Sequence, residues 1–162
     1  MHSKTLILMT LALSTLCATG DNFAEISFTD GNNQMNKVEL VYHISTSKPQ
    51  FGIKYGIDLF NIKLKDCKPV LSKTIEEYFA AFIVVPSECD PKSIYRDILT
   101  HGANFVFLYL KSPANTKSLL STDDLTIPLF IIENSTNAFS FFDKKYKLKE
   151  KVYVDVFFLT VS

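Results

Sequence analysis

A strand, a capped helix and a second strand follow one another between Phe79 and Leu110, and no other stretch of the 162-residue chain restricts the fold as tightly. Phe79-Ala80-Ala81-Phe82-Ile83-Val84-Val85 is a continuous apolar run of strand length, the pattern of a strand covered on both faces. Asp90 then offers an N-cap and Pro91 a first helical residue, while Ile94, Tyr95, Ile98 and Leu99 fall on one helical stripe and Gly102 stands at the C′ position. Phe105-Val106-Phe107-Leu108-Tyr109-Leu110 is a second two-sided apolar strand. Connections this short imply a parallel, right-handed βαβ unit.

The flanks are read around that unit. Residues 23–28 alternate apolar and polar side chains and predict a half-exposed strand, Asp30-Gly31-Asn32-Asn33 a turn, and residues 38–43 the returning strand of a hairpin. Residues 45–56, with Pro49, Gly52 and Gly56, predict a loop. Ile57, Leu59, Ile62 and Leu64 suggest a short irregular strand leading to Asp66-Cys67-Lys68-Pro69. Residues 111–124 are polar and predict an exposed loop. Residues 127–132 predict a strand with Pro128 near its start, where a missing amide hydrogen is tolerable. Residues 135–146 predict a second helix burying Ala138, Phe139, Phe142 and Tyr146, and residues 152–161 a last strand.

The amino terminus sets the compartment. His2 and Lys4 precede an apolar run through Leu6, Leu8, Leu11, Leu13 and Leu16, which gives way to Ala18-Thr19-Gly20, the layout of a signal peptide. The run is shorter than the roughly 20 residues a spanning helix needs, so no stable membrane span is expected. Cleavage is expected near Gly20-Asp21, leaving residues 21–162 as a single domain in a secreted or lumenal setting. Cys17 is an apolar member of the leader, because the bulky Leu16 before it argues against lipidation.

The chain has 17 basic and 17 acidic residues, a balance that gives no reason to expect nucleic acid, whose binding rests on a phosphate-neutralising basic face. Cys67 and Cys89 are the two cysteines beyond the leader, and in an oxidising compartment a single disulfide is their natural state; two free thiols and an intermolecular bridge are the alternatives. Neither a cofactor nor a metal site is expected, since His43 and His101 have no visible partner ligands. Acyl transfer needs a nucleophile, a base and an orienting group, and no Gly-x-Ser-x-Gly elbow is present. His101 is expected to cap the helix beside Gly102, and His43 to be a solvated edge residue. The acidic pairs Glu76-Glu77 and Asp123-Asp124 read as solvated loop charges, and Lys144, Lys145, Lys147, Lys149 and Lys151 as a solvated helix end diluted by Asp143 and Glu150. Asn134-Ser135-Thr136 is an N-glycosylation sequon, so an N-glycan is expected on Asn134.

The ordered set of features resembles the protease-associated domain, best over residues 51–142. Phe51-Gly52, Cys67 with Pro69, the strand at residues 79–85, Cys89, Gly102-Ala103 and Ile127-Pro128-Leu129 follow the order of that family's motifs. Pro86-Ser87, Pro91 and Ile94 stand where the family often has Arg-Gly, phenylalanine and lysine. The resemblance implies an α/β (α+β) fold, a small β-sandwich or open barrel flanked by two helices around the βαβ unit. It also implies a non-catalytic module that binds a protein or peptide partner, with recognition expected in the loops at residues 45–56 and 111–124. Two rivals come from the residues alone. One is a lipid-binding β-sandwich whose 13% aromatic content lines a cavity; the other is a hydrolase using Cys89, whose place at a helix N-terminus would lower a thiol pKa.

Overall fold

In a computed structural model, the structure describes residues 22–45, 49–73, 75, 77–112, 116–120, 125–132, 141–142 and 151–159. The first hairpin joins β1 (Asn22–Thr29) to β2 (Met35–His43) in antiparallel register, Thr29 facing Met35. Its turn is organised by Asp30, whose Oδ1 accepts the amide hydrogens of Asn32 and Gln34 at 2.9 Å each, while Asn33 takes the left-handed conformation that asparagine tolerates (φ 60°). β3 (Lys54–Asn61), β4 (Lys63–Lys65) and β5 (Lys68–Val70) follow, then β6 (Ala80–Val85), α1 (Pro91–Thr100) and β7 (Phe105–Leu110). A five-residue helix α2 (Thr116–Leu120), β8 (Leu129–Ile132) and β9 (Lys151–Phe158) complete the described elements.

The β6–α1–β7 unit is parallel, with Ala80 level with Phe105 and Val85 with Leu110. Its alternate side chains serve two cores. Phe82, Phe107 and Phe130 point into the barrel, while Ile83, Leu108 and Leu129 meet Ile94, Tyr95 and Ile98 of α1 on the outside. The unbroken apolar runs have this cause, since neither face of these strands meets water. The helix ends follow the sequence. Asp90 accepts from the Lys92 amide at 3.2 Å and from the Ser93 hydroxyl at 3.0 Å, and Gly102 turns the chain with φ 88°. Asp90→Ala should lower stability by about 1 kcal/mol in urea denaturation, whereas Asp90→Asn, which keeps the acceptor, should cost far less.

The fold class expected above is corrected. The chain is mostly β, and seven strands close into a barrel in the order β1-β2-β8-β7-β6-β3-β9, with β9 returning to β1. It is not an open barrel or sandwich between two flanking helices; α1 is its one long helix among the described residues. Closure comes from β9. Val152, Val154, Val156 and Phe158 turn inward, and the strand pairs antiparallel with β3 on one side and β1 on the other. Two further boundaries move: β3 begins at Lys54, inside the expected loop, and Thr116–Leu120 is helical, inside the other. Phe141 and Phe142 are helical and buried, Phe142 against Phe82 and Phe107 and Phe141 against Phe28, so they plug the barrel rather than flank it. Ala138, Phe139 and Tyr146 lie outside the described residues.

Candidate functional site

Beyond β3 the chain stays on the barrel wall, where the Ile62 amide donates to the Phe82 carbonyl at 2.9 Å, and then turns outward as the β4–β5 hairpin. Asp66 and Cys67 form its two-residue loop with φ 52° and 62°. Two consecutive left-handed residues are what a type I′ turn demands, and neither is glycine. Cys67 is bonded to Cys89 across a Cα–Cα distance of 5.3 Å, so the tip of the hairpin is tied to the turn that leads into α1. The half-buried Leu64 packs on the cluster beneath α1, leaving Lys63, Lys65, Lys68 and Val70 on the solvent side.

Between the hairpin base, the end of β3 and the start of β9 lies a groove of about 460 Å³. Phe60, Ile62, Val70, Leu71 and Ile75 supply its apolar surface. Lys63 and Lys151 supply its cations. The Lys151 ammonium stands 4.0 Å from Asp58 Oδ2 and 5.9 Å from the centre of the Phe60 ring, a carboxylate and an aromatic face sharing one charge. Asn61 also lines the groove, and its Oδ1 is buried with no hydrogen-bond partner among the described residues.

Below this groove, Tyr153 lies over Gly56, where a Cβ would collide with the phenol ring. Gly56 thus lies within β3 and admits an aromatic side chain from β9 rather than forming a loop. Tyr78 is half exposed nearby; burial, then Tyr55 and Tyr153, push its phenol above the usual value.

The disulfide settles the cysteine question: Cys89 has no free thiol with which to act as a nucleophile. His101 is the exposed C-cap residue of α1, its amide donating to the Ile98 carbonyl at 3.2 Å. His43 is half-buried opposite Leu129 where β2 meets β8, so the expected edge position does not exist in a closed barrel. Glu77 is exposed. Gly20, Asp21, Glu76, Asp123, Asp124, Asn134 and the lysines at 144, 145, 147 and 149 lie outside the described residues. Among the described residues no group of histidine, cysteine, aspartate and glutamate is arranged to hold a metal ion, and no helix is long and apolar enough to cross a membrane.

Inside the barrel the phenylalanines pack on one another. Phe107 stacks on Phe130 with centroids 4.3 Å apart, and Phe82 on Phe142 at 5.2 Å. These phenylalanines belong to the core, whereas Phe23, Phe51, Tyr78 and Tyr153 are exposed. No family model matches the chain, and no curated protein matches its sequence.

Sequence reasoning singled out the cysteines but missed the groove at the base of the hairpin whose tip Cys67 occupies. The signal was Lys63-Leu64-Lys65-Asp66-Cys67-Lys68, a short polar–apolar alternation on both sides of an Asp-Cys turn that lacked the usual Asn-Gly. Of the two loops expected to bind, the first begins at Ser45, whose hydroxyl donates at 3.1 Å to the carbonyl of Leu125, the residue just after the second.

Proposed function

We propose that the chain is a non-catalytic, secreted or lumenal interaction module that binds a peptide segment of a partner protein in the groove beside the β4–β5 hairpin. The observation that carries this is the groove itself: apolar residues and cations converge on the outer wall of a barrel whose described inward side chains pack on one another. A peptide side chain of moderate size fits such a volume, and the polar main chain remains at the rim. The disulfide is in keeping with an oxidising compartment, as is the leader-like amino terminus. The resemblance to protease-associated domains points to the same role, although the closed barrel differs from the fold which that resemblance implied.

Panning a random displayed-peptide library against the protein tests this. It should enrich peptides that compete for one site and lose most of their affinity to Val70→Asp, a change at a side chain already 54% exposed and therefore mild for folding. Failure to enrich any peptide, or enrichment indifferent to Val70→Asp in a variant with unchanged circular dichroism, would overturn the assignment.

A further inference from the structure

The outer face of the β4–β5 hairpin presents two cross-strand pairs, Lys63 opposite Val70 and Lys65 opposite Lys68. Like charges directly opposite each other weaken a two-stranded ladder, and Val70 leaves an apolar side chain 54% exposed to water. Among the described residues no carboxylate pairs with Lys63, Lys65 or Lys68. The chain as a whole carries as many acidic as basic residues, so this face is a local concentration of positive charge. Lys63 and Val70 also line the groove, which makes hairpin face and groove one continuous surface. Lys151, beside the Asp58 carboxylate, stands at the opposite rim.

We infer, building on the peptide-binding function proposed above, that this surface takes an acidic segment of a partner protein whose carboxylates meet Lys63, Lys65 and Lys68 while one apolar side chain enters the groove beside Val70, Leu71 and Ile75. Such an occupant removes both defects of the bare hairpin at once: it neutralises the Lys65–Lys68 repulsion and covers Val70. An anionic membrane or a sulfated glycan would satisfy the lysines alone, leaving the adjacent apolar slot without a role.

The test is anisotropy of the protein with short fluorescein-labelled peptides of aspartate and glutamate around one central leucine. Binding should weaken as salt rises, because the lysines are exposed and screened. Combining Lys65→Glu with Lys68→Glu should cost about tenfold in affinity, since two exposed attractions become repulsions, and a lysine-rich peptide with the same leucine should bind this variant better than the original. Replacing the central leucine by alanine should also weaken binding severalfold. Equal binding of an Asn/Gln version of the peptide would overturn the inference. So would phosphatidylserine vesicles or heparin that bind more tightly than the peptide through the same lysines. If displayed peptides compete for the groove but show no acidic preference, the acidic-ligand inference fails while the peptide-binding function stands; if no peptide binds at all, both fall.

Discussion

Replacing Cys67 and Cys89 together by alanine should lower the unfolding free energy by roughly 3 kcal/mol, read as a shift in the urea midpoint of the oxidised protein. The two cysteines are separated by 22 positions, and breaking the bridge frees that loop in the unfolded chain. A second term is local, separable and common to cysteine and alanine. Cys67 sits at φ 62°, and an alanine there still bears a Cβ that disfavours the left-handed region. Glycine does not, so Cys67→Gly with Cys89→Ala should be more stable than the double alanine variant by about 1 kcal/mol. Equal stabilities would show that the turn relaxes once the bridge is gone. Function should respond more sharply than stability. The hairpin is its own two-stranded sheet, apart from the barrel strands, so loss of the bridge should blunt peptide capture while the barrel's circular dichroism persists.

The parts legible in the sequence were those written in neighbouring residues. Asp90, Pro91 and Gly102 mark α1 because caps act over one turn, and the runs at residues 79–85 and 105–110 declare two-sided burial by composition alone. Barrel closure had no such local mark. The valines of β9 announce a strand, but its pairing with β1, at the other end of the chain, and with β3 leaves no mark in neighbouring residues. Gly56 was misleading for a related reason: its smallness answers to Tyr153 on a distant strand, whereas a glycine near Pro49 and Gly52 reads locally as loop. The groove was hidden by both effects, since Lys151 comes from β9 and the hairpin turn is built from an Asp-Cys pair.

Two buried tyrosines should respond in opposite directions to the same substitution. Tyr42 is 1% exposed inside the barrel, with its ring against Phe158 and Phe130, and its hydroxyl has no hydrogen-bond partner among the described residues. The unfolded chain solvates that hydroxyl and the folded one does not, so Tyr42→Phe should stabilise the protein by about 1–3 kcal/mol. Tyr95 is equally buried, but its hydroxyl donates to the Ile127 carbonyl at 3.1 Å and accepts from the Ile127 amide at 3.3 Å, fastening α1 to the segment that enters β8. Tyr95→Phe orphans both main-chain groups and should cost about 1–3 kcal/mol. Alkaline pH gives a second readout of the difference. Burial raises the Tyr42 phenol above its ordinary value near 10, so the unfolded chain gives up that proton first. Its contribution is therefore complete below pH 10 and declines as the pH climbs beyond it. Removing the phenol with Tyr42→Phe should flatten that decline, leaving among the described tyrosines a small slope from the half-exposed Tyr78, whose phenol is raised in the same direction. A Tyr42→Phe variant that is less stable at neutral pH, or that keeps the full alkaline slope, would mean that the barrel supplies this hydroxyl with a partner.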